Sequence, residues 1–198
     1  MWDFYFLCHG GFRSDFPGQF ITPAAFGQSA KRIAPRGRNF HPVRVEPIWQ
    51  SDFALAHAQI LARSFHHFTG RDLLPGNLTP VGLSQKLFEA PFALLSHGTQ
   101  ADPVLNYGNR TTLALWEMSW EQLTRLPSRL TAEAPNREER ARLLAAVAAR
   151  GFADDYSGVR ISQTGRRFKI ARALIWNLIA PDGAFYGQAA MFDHWEFL

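Results

Sequence analysis

The chain has 198 residues, 46% hydrophobic and 14% aromatic, enough for one ordinary domain with a sizeable core. No apolar run approaches ~18 residues, so no membrane span is expected, and the single cysteine, Cys8, excludes an internal disulfide framework and a cysteine-based zinc site. The formal charge of +4 is uneven: residues 1–46 hold six Lys/Arg against three Asp/Glu and the remainder 15 against 14, which argues against nucleic-acid binding through the folded part.

The opening MWDFYFLCHGG carries Asp3 early and no basic lead-in, a poor secretory signal, so a cytoplasmic protein is the expectation. Residues 1–46 are rich in Gly, Pro, Phe and Arg without a sustained period and read as an irregular basic arm before a domain over 47–198. From Ser51, a natural N-cap, the spacing of Phe53, Ala56, Ile60, Leu61, Ser64 and Phe68 predicts a helix over 51–69 that Gly70 stops. A second helix is expected within 79–90, closed by Pro91. FALLSHG and VLNYGN read as strands around the turn TQADP, and Asn109 as the cap of a helix through RTTLALWEM. Ser119 with Gln122, and Asn136 with Glu139, have capping-box spacing. The second pair opens REERARLLAAVAAR, whose buried stripe is Leu143, Leu144 and Val147, with arginines and glutamates outside, and Gly151 ends it.

The last third changes period. YSGVRIS, RRFKIARALIWNLI and AFYGQAAMFDHW are strand-like, joined through QTGR and PDG. Phe168, Ile170, Leu174, Trp176 and Leu178 fall on one alternating face, which Arg172 interrupts as a bulge, a strand end or a buried charge with a partner. Two strands before the helices and three after them can form one five-stranded antiparallel sheet with helices on one face, an α+β domain.

This element order resembles a PAS domain, and the words APFALLSHGTQADPVLNYGNRTTLALWEMSWEQLTRLPSR, RGFADDYSGVRISQTGRRF and WNLIAPDGAFYGQAAMF resemble one PAS-like family, the MEKHLA domain, over roughly residues 50–197. DPVLNYGN, DYSGVRIS and GRRF together carry the likeness. In plants that domain closes class III homeodomain–leucine zipper transcription factors. Bacterial members resemble this chain in lacking the DNA-binding part. The resemblance implies a sensory or regulatory module that binds a small molecule of unknown identity or a partner protein. The alternative is a ligand-free dimerisation module, built on the outer sheet face and the helix over 51–69.

A PAS-like sheet implies a core cavity, and by pattern Tyr107, Asn109, Trp116, Phe168, Trp176, Asn177, Gln188 and Phe192 are candidates to line it. The aromatics equally suit plain core filling, Asn109 suits a helix cap, and Asn177 with Gln188 suit a cross-strand amide pair. Arg160 and Arg172 join the candidates, because an arginine buried in a strand must pair with a carboxylate or bind an anion. Ser96, His97 and Asp102 invite a hydrolase reading. Adjacent strand residues point to opposite faces, however, so no catalytic residue is assigned. No histidine spacing suits a metal. Cys8 is misplaced for photosensory flavin chemistry, and the helix over 136–150 lacks a histidine for haem, so no cofactor is named.

Overall fold

A computed structural model describes residues 46–133 and 137–198. The arm reading for 1–45 and the Asn136–Glu139 cap lie outside the described residues. After a 3-10 turn at Ile48–Gln50 come α1 (Asp52–Thr69) and α2 (Pro80–Phe88), then β1 (Ala93–His97) and β2 (Leu105–Gly108). The helical block follows: α3 (Arg110–Trp116), α4 (Trp120–Leu123), a 3-10 turn at Ser128–Thr131 and α5 (Arg137–Arg150). Four strands close the chain: β3 (Phe152–Ile161), β4 (Arg167–Ile179), β5 (Phe185–Phe192) and β6 (His194–Phe197).

Ser51, Asn109 and Ser119 cap helices where the sequence places them. The Ser51 hydroxyl accepts from the Ala54 N–H at 3.2 Å, and Gly70 closes α1 in the left-handed conformation at φ 67°. Ser119 and Gln122 make the full capping box of α4. The buried face of α1 is rotated from the predicted one. Ala54, His57, Ala58, Leu61 and Phe65 face inward with Ile60 and Ser64, whereas Phe53 and Ala56 are exposed. Phe53 instead stacks on the His57 ring at 5.0 Å between centroids.

All strand pairs are antiparallel, in the order β2-β1-β5-β4-β3, with β6 pairing the first part of β4. The two N-terminal strands therefore join the three C-terminal ones in one layer, as the patterning predicts. The sixth strand arises because the chain bends at Asp193, between β5 and β6. At the β5–β1 contact, a Cβ on Gly187 would sit 2.0 Å from the His97 carbonyl oxygen, so only glycine fits there.

Helices cover both faces of the sheet. The block α3–α5 covers one face, around a core of Leu95, Leu105, Leu115, Trp116, Phe168, Ile170 and Phe192. The other carries α1 and α2 over Leu94, Tyr107, Leu174, Trp176, Leu178 and Ala189. The sheet face that the dimer reading joins to the helix over 51–69 thus carries that helix, α1, from the same chain. Arg172 explains why the single-face reading of β4 fails. It sits at φ 55°, a left-handed bulge that shifts the alternation by one residue. Phe168 and Ile170 therefore face the α3–α5 side, and Leu174, Trp176 and Leu178 face α1.

Candidate ligand cavity

Between α5 and the sheet lies a cavity in which the centre of a water molecule can reach ≈ 40 Å³. Its walls come from β1 (Leu95), α3 (Trp116), the second 3-10 turn (Thr131), α5 (Arg140, Leu143, Leu144) and the facing residues of β3, β4 and β5. A second lobe of ≈ 30 Å³ shares Leu95, Arg140, Leu144, Ile175 and Ala190 and adds Ser96, His97 and Gln188. For scale, a dry cavity of about 150 Å³ holds a benzene, and one of ~10–15 Å³ holds a water. The observed space suits an occupant of a few heavy atoms.

An amide pair ties α5 to the sheet. Asn177 and Gln188 are directly opposite on β4 and β5. The Gln188 Nε2 donates to Asn177 Oδ1 at 3.1 Å and to the Leu144 carbonyl of α5 at 2.9 Å. Asn177 Nδ2 donates to the Ala148 carbonyl at 3.2 Å, and its backbone N–H to the Gly151 carbonyl at 2.8 Å. The expected amide pair is present, and it also reaches the helix that roofs the cavity.

The polar lining is cationic. Arg160 is 6% exposed. Its Nη1 donates to the Val159 carbonyl at 2.9 Å, its Nη2 to the Tyr156 hydroxyl at 3.2 Å, and its guanidinium carbon lies 5.3 Å from that ring's centroid. A Cβ on Gly158 would come within 2.6 Å of the Tyr156 hydroxyl oxygen and 3.1 Å of Arg160 Nη1, so glycine keeps the strand clear for this pair. Arg140 adds a second guanidinium from α5. Burial, then the neighbouring charge of Arg160, pull its pKa down to about 10. Among the described residues no carboxylate makes a salt bridge to either arginine. Two wall residues also carry buried ring nitrogens without hydrogen-bond partners, Trp116 Nε1 and His97 Nε2. His97 Nδ1 lies 2.8 Å from the Gly98 carbonyl and so must donate to it. Burial, opposed by the bond to Gly98 and aided by the charge of Arg140, lowers its pKa, and in the neutral ring the Nδ1–H donor leaves Nε2 as an acceptor.

Trp116, Arg160 and Phe192 line the first lobe and Gln188 the second. Phe168 supports the wall, edge-on to Trp116 at 5.1 Å, and Asn177 anchors α5. The other candidates lie elsewhere. Tyr107 and Trp176 belong to the α1 face, because β2 shifts register beside Ser96 and β4 bulges at Arg172. Arg172 is exposed beside His194. Asn109 is a fully buried strut whose Oδ1 accepts from the N–H groups of Leu94 and Thr112 while Nδ2 donates to the Phe92 and Leu87 carbonyls. Sequence reasoning missed Arg140, Tyr156, Thr131 and the inward position of His97. Arg140 precedes Leu143, Leu144 and Val147 at helical spacing, so the signal was available, but the charge placed it outside.

Ser96, His97 and Asp102 do not converge. Ser96 lies under α1, its hydroxyl donating to Asn106 Oδ1 at 2.6 Å and therefore accepting from His57 Nε2 at 2.8 Å. In that direction the imidazole cannot remove the serine proton. Asp102 is held by exposed Arg129 at 3.0 Å. Among the described residues no group of three His, Cys, Asp or Glu side chains could hold a metal ion, and no helix is long and apolar enough to cross a membrane. A flavin does not fit the observed space, and residues 46–198 contain no thiol.

The strand order, with its helical block inserted between β2 and β3 over one face, defines a PAS-like α+β domain. An RNA-binding Light-Oxygen-Voltage receptor shares the fold, with a TM-score of 0.51 and 20% identity over 61% of this chain and 33% of that one. A PAS domain from Colwellia psychrerythraea aligns at a TM-score of 0.49 and 13% identity, over 58% of this chain and 92% of that one. The model of the MEKHLA domain matches residues 55–197, and the chain belongs to that family. It is similar to the Homeobox-leucine zipper protein ATHB-14 of Arabidopsis thaliana, 29% identical over 174 residues, 85% of this chain. The match spans only 20% of the plant protein's length.

Proposed function

We propose that this chain is a binding module that takes a small molecule between α5 and the sheet and reports its presence through α5. The observation that carries the reading is the pair of cavity lobes lined by buried Arg160 and by unpartnered ring nitrogens at Trp116 and His97. Wall polar groups left without partners cost free energy that a ligand recovers. The route of response is the amide strap. An occupant that moves α5 must stretch or re-form the bonds from Gln188 to the Leu144 carbonyl and from Asn177 to the Ala148 carbonyl. The regulatory role rests on likeness of fold and family, and the cavity supplies the physical means.

Native mass spectrometry of the purified chain tests this reading. A bound small molecule should add a defined mass, and Ala190→Leu, which fills the wall common to both lobes, should remove it while the variant stays folded. A chain that never retains a ligand and whose stability no small molecule raises would sink the reading.

A further inference from the structure

The lining of this cavity has a sign, which the binding reading alone does not use. The groups that are charged or unpaired are almost all donors: two guanidiniums, an indole N–H, and a phenol whose oxygen already accepts from Arg160. The remaining wall is aliphatic or aromatic, from Leu95, Leu144, Ile175, Ala190 and Phe192. Two like charges, one of them buried, face the same small space without a carboxylate among the described residues. An anion would remove both the mutual repulsion and the missing partner. A guanidinium offers a planar fork of donors that matches a carboxylate, and the apolar wall leaves room for a short hydrocarbon end.

Resting on the reading that the cavity binds a small molecule, we propose that its ligand is a short-chain organic carboxylate, its head on Arg140 and Arg160 and its tail against Leu95, Ile175 and Ala190. The cavity volume limits the tail in the observed conformation to about the size of acetate or propionate. Larger acids require α5 to lift, against the Gln188 and Asn177 bonds.

The test is a titration of the whole chain with acetate and propionate at constant ionic strength, read on the Trp116 indole N–H resonance, identified by its loss in Trp116→Phe. A saturable shift is expected with both acids. Acetamide, the neutral isostere of acetate, should give none at the same concentration. Arg140→Gln should weaken binding at least tenfold. Its guanidinium makes no hydrogen bond among the described residues, so that variant keeps the fold, whereas Arg160→Gln also removes the bonds to Val159 and Tyr156. The assignment is overturned if acetamide binds as well as acetate, if Arg140→Gln binds acetate like the wild type, or if chloride or phosphate competes with equal affinity. If neither acid binds but native mass spectrometry shows another retained molecule, the carboxylate falls and the binding module stands. If nothing is retained and no probe binds, both fall.

Discussion

Two buried polar residues show how single side chains set the behaviour of this domain. Asn109 caps α3, holds the start of β1 through the Leu94 N–H and fastens the segment before β1 through the Phe92 and Leu87 carbonyls. Removing it strands several buried donors and acceptors at once. Asn109→Ala should therefore cost about 3 kcal/mol, more than the ~1 kcal/mol of a surface cap, read from the urea midpoint at unchanged slope. His57 acts through protonation. Burial lowers its pKa from 6.5 to about 4. The folded ring is thus neutral where the unfolded one is protonated, so the unfolded chain takes up more protons between those values. Stability should fall as pH drops through that window. From pH 7.5 to 4.5 the wild type should lose about 2–3 kcal/mol more than His57→Gln, measured by urea unfolding at each pH. Equal losses would place the buried proton acceptor elsewhere.

Among the elements, β4 carries the most information. Its left-handed residue, Arg172, lets one strand serve two cores, with Phe168 and Ile170 under the helical block and Leu174, Trp176 and Leu178 under α1. A left-handed backbone tolerates glycine and penalises β-branched residues. Arg172→Gly should be near neutral in thermal stability, while Arg172→Val should cost about 1–2 kcal/mol. The sequence flagged this position, because a charge interrupts an apolar alternation, yet alternation alone cannot say whether the phase resumes or flips after a bulge. Caps were legible for a simpler reason. Ser51, Asn109 and Ser119 act through bonds to the next turn, so neighbouring residues reveal them. The helical spacing of Arg140 with Leu143, Leu144 and Val147 was legible, but its role was not, since an arginine reads as solvated until the opposing strands are known to bring Arg160 to the same cavity. The rotated face of α1 was missed for a related reason: alanines at 54 and 58 give a close-packing helix face little hydrophobic signal.

Over the whole molecule, the sheet is a divider with two unlike faces. On the α1 side, the Ser96 hydroxyl links His57 Nε2 to Asn106 beside an aromatic cluster of Phe53, Tyr107 and Trp120, with His57 Nδ1, the Tyr107 hydroxyl and Trp176 Nε1 buried without partners but no unpaired charge. On the α5 side there is space, unpaired positive charge, and a helix tied to the strands by two amides. Function is expected where packing is least complete, so the α5 face is the one assigned to binding. This asymmetry can be measured without knowing the ligand. Amide hydrogen exchange, followed by mass spectrometry, should compare the chain as purified with the same chain unfolded, dialysed and refolded to strip any occupant. Faster exchange in α5 and in the β4–β5 segments around Asn177 and Gln188 after stripping, with α1 unchanged, is the predicted result. Identical protection of α5 before and after stripping, from a preparation in which mass spectrometry shows a retained ligand, would contradict a binding site beneath that helix.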